Sequence, residues 1–89
     1  MTLEQCIESI INSYESKKQF DSHDVIEDLR RDFRSVYNSS CPAKMEENQY
    51  HGMIARIIQK MTNVELLKHG EKSTNVNGNE TPNAVWRKI

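Results

Sequence analysis

The sequence is poor in the residues that define several protein classes, with two cysteines, two prolines and three glycines among 89 residues. Cys6 and Cys41 are too few for a disulfide framework, which favours a reducing compartment, so a cytoplasmic protein is expected. The glycines are isolated, so the chain has no glycine-rich phosphate loop. There is no run of about 18 apolar residues and no basic region followed by an apolar stretch, so neither a membrane span nor a secretory signal is predicted.

The histidines and carboxylates form no recognisable catalytic or metal-binding pattern. His23, His51 and His69 lack zinc-ligand spacing relative to the cysteines. Cys41 and His51 are one pair that folding could bring together, but no third residue that would orient them is identifiable. A chain this short also leaves little room for a deep pocket. We therefore predict that the protein is not an enzyme and uses neither a cofactor nor a metal.

The net charge of −1 is spread unevenly along the chain. Residues 1–42 carry five basic and eight acidic side chains, whereas residues 43–89 carry seven basic and five acidic ones. The overall balance argues against a strongly basic nucleic-acid-binding protein, and the C-terminal half is mildly basic. An ordinary solvated surface would give the same asymmetry.

Three segments repeat apolar residues at helical spacing, and each is predicted to be an amphipathic helix. The first covers residues 3–14 and begins at Thr2, a good capping residue. The second covers residues 25–37 and is predicted to be capped by Ser22. The third covers roughly residues 44–61, with a buried face made by Tyr50, Met53, Ile54, Ile57, Ile58 and Met61.

Short β segments are predicted between and after these helices. Residues 18–20 fit a very short strand, and residues 64–68 and 84–89 fit the two arms of a hairpin. The polar connection contains Asn77-Gly78, a strong turn signal because both positions favour positive φ. Trp86 is expected to cover the core from the hairpin side while its indole N–H finds a hydrogen-bond partner.

This order of elements resembles the winged helix-turn-helix family of bacterial and phage regulators. The resemblance lies in QFDSHDVIEDL at residues 19–29, YHGMIARIIQKM at 50–61 and AVWRKI at 84–89. It implies a mainly α fold with a small β hairpin, in which a three-helix core carries a two- or three-stranded wing. Residues 1–89 are then a single winged-helix domain.

The resemblance also implies that the third helix reads duplex DNA. With Tyr50 at the centre of the buried face, an outward and flanking surface follows from the helical repeat. Its predicted DNA-binding residues are Lys44, Asn48, His51, Gly52, Ala55, Arg56 and Gln59. Asn48 and Gln59 have the chemistry to pair with adenine, and Arg56 with guanine or phosphate.

The small residues on this face have two interpretations. Gly52 and Ala55 would let the helix backbone approach DNA closely, but a contact with another helix also requires small residues. Glu46 and Glu47 suit the positive end of the helix dipole and repel phosphate, which counts against DNA binding. Every surface helix has a polar outer face, so the pattern alone does not decide between these uses.

The hairpin offers a second surface, for phosphate or the minor groove. Its predicted DNA-binding residues are Lys68, Lys72, Ser73 and Asn75. Residues 64–89 contain three glutamates and no aspartate. The N-terminus of the second helix, at Ser22 and His23, could offer backbone N–H groups to one more phosphate. A long polar hairpin tip is equally consistent with simple exposure to solvent.

The sequence thus predicts a small DNA-binding protein, a transcriptional regulator that contacts duplex DNA through its third helix and wing. The alternative is a protein–protein interaction module, such as an adaptor or a phage-encoded inhibitor, that does not bind DNA. A homodimer is also possible, and the first helix would be its surface if the apolar stripe is wider than the core needs.

Overall fold

The computed structural model describes the backbone of residues 1–74 and 80–89, and the side chains of residues 1–68 and 84–89. Within these residues four helices and three strands follow one another along the chain. They are α1 (Leu3–Ser13), β1 (Gln19–Asp21), α2 (Ser22–Asp32), α3 (Arg34–Ser39), α4 (Glu47–Gln59), β2 (Val64–Thr74) and β3 (Glu80–Lys88). None of the described helices combines the length and the apolar content that crossing a bilayer requires.

The three strands form one antiparallel sheet in the order β1-β3-β2. Phe20 in β1 and Leu66 in β2 both stand opposite Trp86 in β3, so the last strand joins the other two. The predicted mainly α chain with a small β hairpin is confirmed at this level. The hairpin strands are longer than predicted, and the predicted turn at Asn77-Gly78 lies outside the described residues.

The first helix buries its whole apolar stripe within the chain. Its capping box is present, because Gln5 N–H donates to Thr2 Oγ1 at 3.2 Å and Thr2 N–H donates to Gln5 Oε1 at 2.9 Å. The stripe residues are at most 5% exposed and are Leu3, Cys6, Ile7, Ile10 and Ile11. No surplus apolar face is left, so the condition under which α1 would form a dimer surface is not met.

The second helix begins differently from the prediction. Asp21, not Ser22, is its cap: Asp24 N–H donates to Asp21 Oδ1 and Asp21 N–H donates to Asp24 Oδ2, both at 3.0 Å. Asp21 has the extended backbone that a cap needs, whereas Ser22 is helical and buried. The predicted cap at Ser22 was therefore wrong, and the Asp21 carboxylate at this helix end disfavours the phosphate contact predicted at Ser22 and His23.

The segment predicted to be the second helix forms two helices, α2 and α3. It is interrupted at Phe33, whose backbone angles of φ −133° and ψ 39° leave the helical region. The change of direction lets Tyr37 in α3 pack on Tyr50 in α4, with ring centroids 5.1 Å apart. The Tyr50 hydroxyl donates to the Tyr37 carbonyl oxygen, so the short helix is anchored to α4 by both packing and a buried hydrogen bond.

The fourth helix has the predicted buried face but a later start. Tyr50, Ile54 and Ile58 are at most 3% exposed, and the other predicted face residues pack against the core. The helix begins at Glu47 rather than near Lys44, which has a φ of 66° outside the right-handed helical region. Lys44 therefore belongs to the preceding loop.

Trp86 closes the core from the sheet side. It is 1% exposed, and its ring lies 6.1 Å from that of Phe20 between centroids. Its predicted hydrogen bond was wrong, since the indole Nε1 is buried without a partner in the described part of the chain. The packing of the large ring offsets the cost of an unpaired N–H, which is about 1–3 kcal/mol.

Candidate nucleic-acid interface

The outward face of α4 lies opposite Tyr50, Ile54 and Ile58. Asn48 and Gln59 are exposed on this face, and within the described residues their side chains form no hydrogen bond. Their amides therefore keep both the donor and the acceptor that a bidentate contact with adenine requires.

Arg56 lies at the edge of the same face, beside the smallest residue of the helix. Its Nε donates to the carbonyl oxygen of Gly52 at 3.4 Å. A Cβ placed on Gly52 would lie 3.6 Å from Arg56 Nη2. Among the described carboxylates, none forms a salt bridge with Arg56. No described carboxylate thus neutralises this guanidinium, which lies beside the half-buried Gly52.

Acidic residues are confined to the start of this helix. Glu46 and Glu47 stand at its first turn, and residues 48–64 contain no Asp or Glu. The same stretch carries Arg56 and Lys60. Beyond its first turn, α4 therefore presents polar and basic groups with no negative charge of its own.

His51 was predicted on the same surface, but its side chain is largely buried. Its side chain is 13% exposed, and its Nε2 lies 2.6 Å from the Tyr37 hydroxyl and 3.9 Å from Glu47 Oε1. Burial lowers the pKa of His51 below its ordinary value of 6.5. The imidazole is therefore neutral near pH 7, and its Nε2 shares one hydrogen bond with the Tyr37 hydroxyl. This contact ties α3 to α4, which makes His51 a positioning residue.

The remaining predicted residues lie before and after α4. Lys44 is exposed in the loop that precedes the helix, and Lys68 is exposed in β2 opposite Val85. Lys72 and Ser73 are placed by their backbone in the outer part of β2, and Asn75 lies outside the described residues. Basic residues therefore occur both before α4, in the loop, and after it, in the β2–β3 ribbon.

One basic residue of the ribbon is already neutralised. Arg87 in β3 donates from Nη2 to Glu65 Oε2 in β2 at 2.7 Å, and the two residues are directly opposite in the sheet register. This cross-strand pair stabilises the ribbon, and its charge is less available to an external phosphate than that of Arg56.

Sequence reasoning missed a groove between the α2–α3 junction and the start of α4. The groove has a volume of about 320 Å³, and two arginines, Arg30 and Arg34, line it together with Tyr37 and Glu47. Their spacing of four residues was visible in the sequence. The helix break between them and the approach of α4 were not.

A second groove lies between α1 and the end of α4, with a volume of about 540 Å³. Glu4 and Glu8 line one side, and Ile57 and Met61 supply apolar surface on the other. Since α1 contains these two carboxylates and no Lys or Arg, the wall contributed by α1 is acidic.

The described histidine, cysteine and carboxylate side chains lie apart from one another in the fold or have other partners. Within the described residues, no three His, Cys, Asp or Glu side chains are placed to hold a metal ion. Cys6 is buried in the core, and Cys41 Sγ lies 3.7 Å from the carbonyl oxygen of Pro42. His51 is hydrogen-bonded to Tyr37 rather than to Cys41.

Comparisons of the chain with protein-family models, with curated proteins and with solved structures return no match.

Proposed function

We propose that the protein is a winged-helix protein that binds duplex DNA, with α4 as the reading helix and the β2–β3 ribbon as the wing. The order of elements supports this assignment, because a strand between the first two helices pairs with the last strand, and a ribbon follows the final helix. Helix-turn-helix proteins place the corresponding helix in the major groove.

One observation carries the proposal: beyond Glu47, α4 exposes a face that contains no acidic residue, an arginine without a salt bridge and two amides without a hydrogen-bond partner among the described residues. A protein surface in the major groove must pass between two phosphate backbones, so carboxylates there are unfavourable. Asn48 and Gln59 supply groups that read base edges, and Arg56 supplies charge. Gly52, half-buried beside Arg56, would let the backbone come near, whereas Ala55 packs partly against the core.

The wing contributes contacts to the backbone rather than to the bases in this proposal. Lys68, Lys72 and Ser73 lie on β2, and Asn75 follows them in the sequence, outside the described residues. A regulator of transcription in the cytoplasm of a bacterium, or one encoded by a phage, fits a domain of this size and charge. Its affinity for random DNA is expected to be modest, since the net charge of −1 provides little attraction at long range.

Replacing Arg56 tests the reading helix. We expect Arg56→Ala to weaken binding to a random duplex at least about fivefold and to reduce the slope of log affinity against log salt by about 1. Fluorescence anisotropy with a labelled duplex measures both quantities. The isolated charge next to Gly52 is the physical reason for the loss.

Arg31→Ala is the matched control, because it removes the same charge from an exposed helical position on α2. Arg31 is already paired with Asp28 and Asp32, at 3.1 and 2.8 Å. Its loss is expected to change affinity less than about twofold. Equal losses in the two variants would mean that α4 has no special role, and the proposal would fail.

The groove between α1 and α4 favours a second candidate function, that of a protein-interaction module. Carboxylates at Glu4 and Glu8 beside the apolar surface of Ile57 and Met61 suit a segment with basic and aliphatic side chains. If wild-type protein fails to bind DNA, and Glu8→Lys abolishes capture of such a partner, this candidate replaces the first.

A further inference from the structure

The groove at the α2–α3 junction is built around two arginines that no carboxylate neutralises. In the described part of the chain, neither Arg30 nor Arg34 takes part in a salt bridge. By contrast, Arg31 and Arg87 both bind carboxylates at less than 3 Å. The groove therefore contains two arginine side chains that form no salt bridge in the described part of the chain, and Glu47 is the carboxylate that lines it with them.

The helix break places Arg30 and Arg34 on the lining of the same groove. Arg30 lies in the last turn of α2 and Arg34 is the first residue of α3, with the break at Phe33 between them. Arg34 Nε donates to the carbonyl oxygen of Arg30 at 3.3 Å, which leaves its two Nη groups for another acceptor. Arginine's planar donor set suits the oxygens of a phosphate.

The groove adjoins the start of the reading helix. Glu47 and Tyr50, which line it, belong to the first turn of α4, and that turn also presents Asn48 on the outward face. A helix is about 10–12 Å wide with its side chains and the major groove is about 12 Å wide, so a bound helix has a phosphate backbone along each flank. Side chains beside the first turn of α4 are then close enough to contact a phosphate of the DNA backbone.

We propose that Arg30 and Arg34 together bind a phosphate of the duplex backbone beside the first turn of α4. This inference rests on the proposed DNA-binding function and adds to it an anchor that fixes where the helix enters the groove. Such a contact is independent of base sequence and sets the register of the protein on DNA.

Glu47 lines the same groove and opposes this contact. With His51 neutral, two guanidinium groups and one carboxylate leave a net positive charge. The proposal therefore makes opposite predictions for two kinds of charge removal in one groove. Losing an arginine weakens DNA binding, and losing the carboxylate of Glu47 strengthens it.

The test uses the full chain, a random labelled duplex and anisotropy across a range of salt concentrations. The double variant Arg30→Gln/Arg34→Gln is expected to bind at least about tenfold more weakly and to reduce the salt slope by about 1 to 2. Glu47→Gln is expected to bind more tightly than wild type. The double variant Arg30→Lys/Arg34→Lys keeps the charge and is expected to keep most of the slope.

Circular dichroism and thermal unfolding establish that each variant is folded, and Arg31→Gln is the control for net charge. The inference is overturned if wild type binds DNA and Arg56→Ala weakens that binding, but Arg30→Gln/Arg34→Gln keeps the wild-type affinity and the wild-type slope of log affinity against log salt. In that case the proposed function stands without the anchor. If wild type does not bind the duplex at about 50 mM salt, the proposed function and the inference both fall.

Discussion

Replacing Gly52 by alanine is expected to change the stability of the fold and the affinity for DNA in opposite directions. Gly52 lies near the middle of α4, where glycine is less favourable than alanine by about 0.5–1 kcal/mol. The nearest atom to an added Cβ is Arg56 Nη2 at 3.6 Å, an ordinary van der Waals distance to the end of a flexible side chain. Gly52→Ala is therefore expected to stabilise the fold, and Tm rises by about 2–8 °C.

The same methyl group has the opposite effect on DNA binding if α4 reads the major groove. It adds bulk where the helix backbone would approach the bases most closely. An extra methyl in a packed contact costs about 1 kcal/mol or more, which corresponds to a loss of affinity of at least about fivefold. The expected result is a more stable protein that binds DNA more weakly.

Thermal unfolding followed by circular dichroism, together with anisotropy on the same preparation, measures both effects. A lower Tm would refute the structural reasoning, because it would mean that the space beside Gly52 is not open. A higher Tm with unchanged DNA affinity would refute the close approach of this face to DNA. A global folding defect cannot imitate the expected pair of results, since the two changes have opposite signs.

Two further predictions concern the supports of the site. Asp21→Ala removes the α2 cap and is expected to lower the free energy of unfolding, measured by urea denaturation, by about 1 kcal/mol. Ser22→Ala is a comparison that leaves the cap in place. An unchanged denaturation midpoint for Asp21→Ala would contradict the capping assignment. Folding lowers the pKa of His51 from 6.5, so below that pH the folded state binds fewer protons than the unfolded state. The contribution of His51 to stability is therefore complete above about pH 6.5 and declines as the pH falls toward the folded pKa. The stability difference between wild type and His51→Gln is expected to shrink between about pH 7.5 and about pH 5, and a difference independent of pH would rule out this role.

Periodicity in the sequence predicted the faces of the helices better than their ends. The stripes of α1 and α4 are buried as expected, because apolar spacing directly determines which side of a helix can pack. The break at Phe33 could not be seen, since Phe33, Val36 and Tyr37 continue the same helical spacing. Only the packing of Tyr37 on Tyr50 distinguishes two helices from one.

Caps and grooves depend on contacts between segments that a pattern does not encode. Asp21 and Ser22 are both good capping residues, and the burial of Ser22 against the core decides between them. The groove of Arg30 and Arg34 requires the chain to turn at Phe33 and α4 to arrive beside it. A spacing of four residues on a helix is common and carries no such information.

The most direct test of the account is the binding of wild-type protein to a random duplex at about 50 and about 200 mM salt. If Arg30 and Arg34 share one phosphate and Arg56 and Lys68 contact one each, the slope of log affinity against log salt is about −2.7, and the fourfold rise in salt weakens binding about fortyfold. That result is what the account predicts. No binding at the lower salt, or binding that does not change with salt, would contradict it and leave the α1–α4 groove as the surface to pursue.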